Sequence, residues 1–127
     1  MNEKRNWWVK FTERFFLSEN VDYLMSQKGG SAYVLIYLSL CLKTVNTEGI
    51  LARRLEDVVV IFDNEKIQRD LKYWSLPVIK KALQYFQDLG LIKKRDDGVL
   101  YITDYERLIG SESTSTERVR NWRKDNQ

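Results

Sequence analysis

Cationic side chains cluster in the middle of this chain, in a pattern suited to binding phosphate. Residues 72–95 contain one acidic residue, Asp88, and six basic ones: Lys72, Lys80, Lys81, Lys93, Lys94 and Arg95. The segment therefore carries a net charge of +5, whereas the whole chain carries +3. Concentrated positive charge is typical of surfaces that bind nucleic acid, but a solvated helix face and a solubilising hairpin would carry the same residues. Charge alone leaves both interpretations open.

An amphipathic helix over residues 75–89 is predicted to position the first of these cations. Ser75 suits the N-cap, and Pro77 lies in the first turn, where its missing N–H costs nothing. Gly90 suits the left-handed residue that ends a helix. The apolar stripe that would face the core consists of Ile79, Ala82, Leu83, Phe86 and Leu89.

A β-hairpin is predicted directly after this helix. Leu91 and Ile92 begin one strand, residues 99–102 form the other, and Asp97-Gly98 is a favoured tight turn between them. This order of elements is that of a recognition helix followed by a wing.

The helix face opposite the apolar stripe is predicted to contact DNA. Lys80 and Lys81 can neutralise phosphates or reach guanine, and Gln84 can hydrogen-bond adenine bidentately. Tyr85 lies at the edge of this face, and Ser75 with the N–H groups of the helix N-terminus can bind a phosphate.

The wing adds Lys93, Lys94 and Arg95, which suit the neighbouring backbone or minor groove. Lys80 or Lys81 taken singly is better explained as a solvated side chain, and only the whole set of cations indicates DNA binding.

The C-terminal segment is predicted to be a linker followed by a basic tail. From Gly110 the composition changes to Ser, Thr and Glu. A short basic helix over residues 116–124 would add further phosphate contacts through Arg118, Arg120, Arg123 and Lys124. A frayed, disordered tail is the favoured alternative, because so short a helix rarely persists alone in water.

Other segments are predicted to form the rest of the domain. Residues 31–44 are apolar nearly all round, which fits either the central helix or half of a subunit contact. Residues 49–53 fit a short strand, and residues 58–62 fit a strand or a helix start. Asp63 or Asn64 suits the N-cap of a helix predicted over residues 65–74.

Several function classes are disfavoured by what the chain lacks. It has no histidine and a single cysteine, Cys41, so His-based catalysis, zinc fingers and internal disulfides are excluded. We find no enzyme site and expect no metal and no cofactor. No signal peptide or membrane-spanning run is evident, so we expect a cytoplasmic protein with no membrane contact.

Three separated motifs resemble the N-terminal region of phage replisome organiser proteins. They are GSESTSTERVRNWR at residues 110–123, NWWVKFTERFF near the start, and the GGSAYVLIYLSL segment. The resemblance implies a winged-helix domain of a phage or prophage replication initiator, similar to DnaD-like primosome components that bind the origin, self-associate and help to recruit the helicase machinery. The family's usual second region lies C-terminal to a linker and is absent from this chain, so contacts with helicase-loading proteins would depend on it.

The N-terminal extension is rich in aromatic residues, and such extensions on winged helices often pair subunits. A dimer surface is therefore predicted to include Trp7, Trp8, Phe11, Phe15 and Phe16. The alternative is that the same residues form a layer of the protein's own core.

Together these features predict a mainly α protein with a small β-hairpin wing (α+β), a winged helix-turn-helix with an N-terminal extension. Its expected parts are the extension at 1–30, the winged-helix core at 31–109 and the basic linker and tail at 110–127. The expected function is binding of double-stranded origin DNA by a homodimer or higher oligomer. The alternatives are a transcriptional regulator, and an oligomerisation module of the primosome with weak DNA binding.

Overall fold

The computed structural model describes residues 7–9, 11, 13–45, 47–103, 105 and 109–111. The helices in this part of the chain are α1 Glu13–Phe16, α2 Glu19–Ser26, α3 Gly30–Lys43, α4 Asn64–Asp70 and α5 Leu76–Asp88. The strands are β1 Trp7–Val9, β2 Ala52–Leu55, β3 Val58–Ile61, β4 Ile92–Lys94, β5 Leu100–Ile102 and β6 Ile109–Ser111. They form three two-stranded antiparallel sheets, β1–β6, β2–β3 and β4–β5.

Helix α3 is the central helix of the domain, one of the two roles predicted for it. Its buried side chains include Tyr33, Ile36, Tyr37 and Leu40, which pack in one cluster with Phe86 of α5. The Tyr37 and Phe86 rings lie 5.5 Å apart, edge to face. Burial raises the pKa of the Cys41 thiol to about 12, so this cysteine is a core residue that stays protonated at neutral pH.

Two glycines allow α2 and α3 to approach each other closely. Gly29, the N-cap of α3, has a φ of +74°, a left-handed conformation that glycine adopts without steric cost. A Cβ on Gly30 would lie 2.0 Å from the backbone oxygen of Leu24 in α2. This explains physically why the apolar helix is preceded by a Gly-Gly pair.

Helix α4 is joined to α3 by a shared carboxylate. Asp63 caps α4, accepting the Lys66 backbone N–H at 2.8 Å, as the sequence suggested. Lys43 of α3 and Lys66 of α4 both donate to Asp70, and both ammonium groups lie over the Phe62 ring, at 4.7 and 5.5 Å from its centroid. The hydrogen bond from Lys43 lowers the pKa of Asp70 below its ordinary value.

The strands confirm some local predictions and correct others. Residues 58–61 form a strand, one of the two structures that the sequence left open for them. The strand predicted at 49–53 is displaced, since Ile50 makes only an isolated bridge to Tyr101 and the pairing to β3 begins at Ala52. The linker predicted to begin at Gly110 also differs, because residues 109–111 pair with β1. That pairing joins segments about a hundred residues apart, so no local pattern signals it.

The fold is thus mainly helical with two small antiparallel hairpins, which confirms the predicted α+β class. The order α3, bridge at Ile50, α4, α5, β4, β5 is compatible with a winged helix, in which β2–β3 is an additional hairpin between the first strand and α4. In the described part of the chain, no helix combines the length and the apolarity needed to span a bilayer.

Candidate nucleic-acid interface

Helix α5 is fixed in the core by one face and leaves the opposite face open. Ile79, Ala82, Leu83 and Phe86 are buried, as the stripe predicted. Gly90 follows the helix with a φ of +77°, and the Leu91 backbone N–H donates to the Phe86 carbonyl at 2.8 Å, which satisfies an otherwise unpaired helix carbonyl. The orientation of α5 about its own axis is therefore set by burial.

The exposed face of α5 contains three of the predicted site residues, Lys80, Lys81 and Gln84. In the described part of the chain, neither lysine takes part in a salt bridge. The Gln84 amide nitrogen donates to the Asp88 carboxylate at 2.8 Å, one helical turn away. Gln84 would have to exchange that exposed bond for a contact with a base.

Ser75 occupies the N-cap of α5, and its side chain makes no capping hydrogen bond. The side chain is exposed, and the first N–H groups of the helix lie beside it. Ser75 and this helix terminus therefore offer donors to an anion, in the position predicted for a phosphate contact.

Tyr85 lies at the edge of the exposed face of α5, where its ring packs toward α2 and α3. Its ring is half-buried and lies 5.1 Å from the Tyr33 ring and 6.0 Å from the Tyr23 ring. Its hydroxyl donates to the Gln27 side-chain oxygen at 3.3 Å. The structure thus places the Tyr85 ring between α5 and the α2–α3 region, one helical turn from Lys81.

The predicted wing is the β4–β5 hairpin, in which Lys93, Lys94 and Arg95 are all exposed. Its loop differs from the predicted two-residue turn. The Arg95 N–H donates to the Val99 carbonyl at 2.8 Å and the Gly98 N–H to the Arg95 carbonyl at 2.9 Å, leaving Asp96, Asp97 and Gly98 in a three-residue loop. Gly98, with a φ of +87°, takes the left-handed position that such loops require.

Asp97 organises this loop and partly neutralises the wing. Its carboxylate lies 2.6 Å from the Arg95 guanidinium and accepts the Val99 N–H at 3.1 Å. The hydrogen bond from Arg95, followed by that from Val99, lowers the pKa of Asp97. The wing therefore presents two unpaired lysines and one paired arginine among its described residues.

Tyr73 is a candidate that the sequence analysis overlooked. It lies in the turn between α4 and α5, next to Lys72, and its side chain is 92% exposed. A tyrosine hydroxyl is a common donor to DNA phosphates, and this one lies just before the N-terminus of α5. The helix predicted over residues 65–74 included Tyr73, whereas α4 ends at Asp70, so the turn that exposes this side chain was not predicted.

Comparison with known proteins identifies the family of this chain. A family model described as the N-terminal phage replisome organiser matches residues 8–127. The chain belongs to this family. The resemblance drawn from its three motifs is thereby confirmed, and membership supports a role in the initiation of replication. No curated protein and no solved structure matches the chain.

The aromatic N-terminal residues of this organiser domain do not lie in one common environment. Phe11 packs 4.9 Å from Phe15, and Phe15 stacks on Tyr37 of α3 at 6.0 Å with an angle of 11° between the rings. Phe16, by contrast, is 54% exposed. Phe11 and Phe15 thus extend the protein's own core, and only Phe16 of these three leaves a substantial area open to a partner.

Some predicted site residues lie outside the part of the chain that the structure describes. These are Arg118, Arg120, Arg123 and Lys124 of the tail, and the side chains of Trp7 and Trp8.

Proposed function

We propose that this organiser domain is a winged-helix module that binds double-stranded DNA of a phage or prophage replication origin and performs no catalysis. One observation carries the proposal. The face of α5 opposite its buried stripe exposes Lys80 and Lys81, and the hairpin that follows α5 exposes Lys93, Lys94 and Arg95. The domain would act in the cytoplasm of the bacterial host, where phage DNA replicates.

In the proposed mechanism, some residues position the domain on the duplex and others read the base sequence. The wing cations and the N-terminus of α5 hold phosphates, which fixes the register on the duplex without reading its sequence. Lys80 and Lys81 neutralise phosphates at the edge of the major groove and can also donate to guanine, and Gln84 can pair with adenine. Tyr85 has no direct role in this scheme, because it is engaged with Tyr33 and Gln27.

The experiment replaces both lysines of α5, as Lys80→Ala with Lys81→Ala. Both side chains are exposed and alanine favours helix, so the fold is expected to persist. Loss of two phosphate contacts should weaken duplex binding and lower the slope of log K against log salt by about 1.8. Fluorescence polarisation of a labelled origin duplex, titrated at several NaCl concentrations, measures both quantities.

A charge-matched control separates a specific contact from a general loss of charge. Arg14→Ala with Lys28→Ala also removes two exposed cations, but from α1 and the loop before α3. This control should keep the wild-type slope. A Lys80→Ala, Lys81→Ala variant that binds as tightly as wild type would remove α5 from the interface.

Self-association is a second proposed activity, favoured by exposed apolar side chains on α1, on α2 and in the turn between them. Phe16, Leu17 and Met25 are 54%, 74% and 55% exposed, and they border an open groove of about 730 Å³. Exposed apolar patches of this kind often mark contacts between proteins. Sedimentation of Leu17→Ser with Met25→Ser should give a smaller species than wild type at equal concentration, and a wild-type monomer at high micromolar concentration would contradict the proposal. We also propose contacts with helicase-loading proteins, which only the family membership supports.

A further inference from the structure

A second hairpin lies beside the wing, because the chain enters it directly from the strand position that pairs with β5. Ile50 bridges Tyr101, and the Leu51 N–H donates to the Leu100 carbonyl at 2.9 Å. The chain then runs on as β2 past the wing loop and returns as β3. The β2–β3 hairpin and the wing are therefore neighbours at the same end of the molecule.

An open cleft of about 350 Å³ separates the two hairpins. Three arginines line it, Arg53 and Arg54 from β2 and Arg95 from the wing. Its apolar surface comes from Ile50, Val59 and Val99. The described residues that line the cleft include no acidic side chain, so its charge is positive even though Arg95 is paired with Asp97 outside it.

Arg53 and Arg54 are the unpaired cations of this cleft. Both are exposed, and no salt bridge in the described part of the chain involves either of them. Charged residues on an exposed strand often serve only to discourage edge-to-edge aggregation. Two observations argue for a further role here: a third arginine comes from a different hairpin, and the three line one concave, partly apolar surface. The planar guanidinium is the side chain best suited to bidentate contact with phosphate.

We propose that this cleft binds phosphates of the same duplex that α5 and the wing hold, so that β2–β3 acts as a second wing. The proposal rests on the proposed function. Arg53 and Arg54 donate to the phosphate oxygens, and the exposed Val59 packs against a sugar between them. Lys93 and Lys94 continue the positive surface beyond Arg95. One strand of the DNA can therefore contact cations along both hairpins.

The test is duplex binding by Arg53→Ala with Arg54→Ala, measured by fluorescence polarisation at several NaCl concentrations. Two lost phosphate contacts should lower the salt slope by about 1.8 and weaken binding. The Arg14→Ala, Lys28→Ala control should keep the wild-type slope. Because alanine is a weak strand former, Arg53→Lys with Arg54→Lys serves as the second variant; it should keep the slope, because the charge remains, and lose affinity, because the bidentate geometry is gone.

The outcomes separate this proposal from the one on which it rests. If the wild-type chain does not bind duplex in a salt-dependent way, both the proposed function and the proposal that the cleft binds phosphates are wrong. If the wild type binds duplex but the Arg53→Ala, Arg54→Ala variant keeps the wild-type salt slope, only the proposal that the cleft binds phosphates is wrong. A slope lowered equally in the charge-matched control would also overturn it, because the effect would then follow net charge and not position.

Discussion

The two hairpins of this domain are built alike but are held differently. Each is a short antiparallel pair, yet the wing buries Ile92, Val99 and Ile102 to 3% exposure or less. In β2–β3 only Ala52 is buried, while Leu55 and Val58 near its loop are 48% and 60% exposed. Since an isolated two-stranded hairpin is marginally stable in water, strand pairing alone does not hold either one in place. The two hairpins therefore differ in how many of their side chains are buried in the core.

The wing is also tied directly to the end of α5. The Thr103 hydroxyl lies 2.7 Å from the Gly90 carbonyl oxygen, and the Thr103 N–H donates to the Leu91 carbonyl at 3.1 Å. The second hairpin is attached through Leu51, which bonds to Leu100 on one side and accepts the Phe62 N–H at 3.0 Å on the other. The wing should therefore keep a fixed position relative to α5, and the tip of β2–β3 should move more freely.

The largest expected contrast is in stability, between Ile92→Ala in the wing and Leu55→Ala in the second hairpin. Ile92 is fully buried, so its truncation should lower the free energy of unfolding by about 2–5 kcal/mol through lost burial and a cavity. Leu55→Ala removes an exposed side chain and should change it by about 0.5 kcal/mol or less. Urea denaturation followed by circular dichroism measures both. Equal losses would mean that the second hairpin is packed as firmly as the wing.

A smaller effect is expected from acid on the wing loop. Because the pKa of Asp97 is lowered in the folded protein, its charged contacts with Arg95 and Val99 contribute stability above the ordinary aspartate pKa of about 3.9 and lose it as the pH falls through the lower folded value. The NMR shift of the Val99 amide should follow this titration, with a midpoint below about 3.9.

The Asp97→Asn variant is the control for that titration, because it keeps an oxygen acceptor for the Val99 N–H but cannot ionise. Its Val99 amide should lose the titration step. A midpoint at or above the ordinary aspartate value in the wild type would contradict the Arg95–Asp97 contact.

Features that depend on local sequence rules could be predicted, whereas features that depend on tertiary contacts could not. The apolar spacing of α5 and the glycine at position 90 specify a helix, its buried face and its end by local rules, and all three were predicted. Tyr85 was placed at the edge of the exposed face, which its half-buried ring fits, but its contacts with Tyr33 and Gln27 are tertiary and follow from no local rule. The wing loop was placed correctly but given one residue too few, because Asp-Gly is compatible with both loop lengths.

The β2–β3 hairpin was harder to predict from the sequence than the wing. Its strands lack the alternation of apolar and polar residues that marks a half-buried strand, because both of its faces are largely exposed. Arg53 and Arg54 were therefore not recognised as site candidates, and only the cleft beside Arg95 reveals them. The contact predictions for α5, the wing and the tail stay predictions until DNA binding is measured.

The most direct test of the central claim is the salt dependence of duplex binding by the wild-type chain. If Lys80, Lys81, Lys93, Lys94 and Arg95 neutralise phosphates together, log K should fall linearly with log salt between about 50 and 200 mM, with a slope of about −4 or steeper. Fluorescence polarisation with a labelled duplex gives that slope from one titration series. A slope near zero, or no binding at the lowest salt, would contradict the assignment of α5 and the wing as a phosphate-binding face.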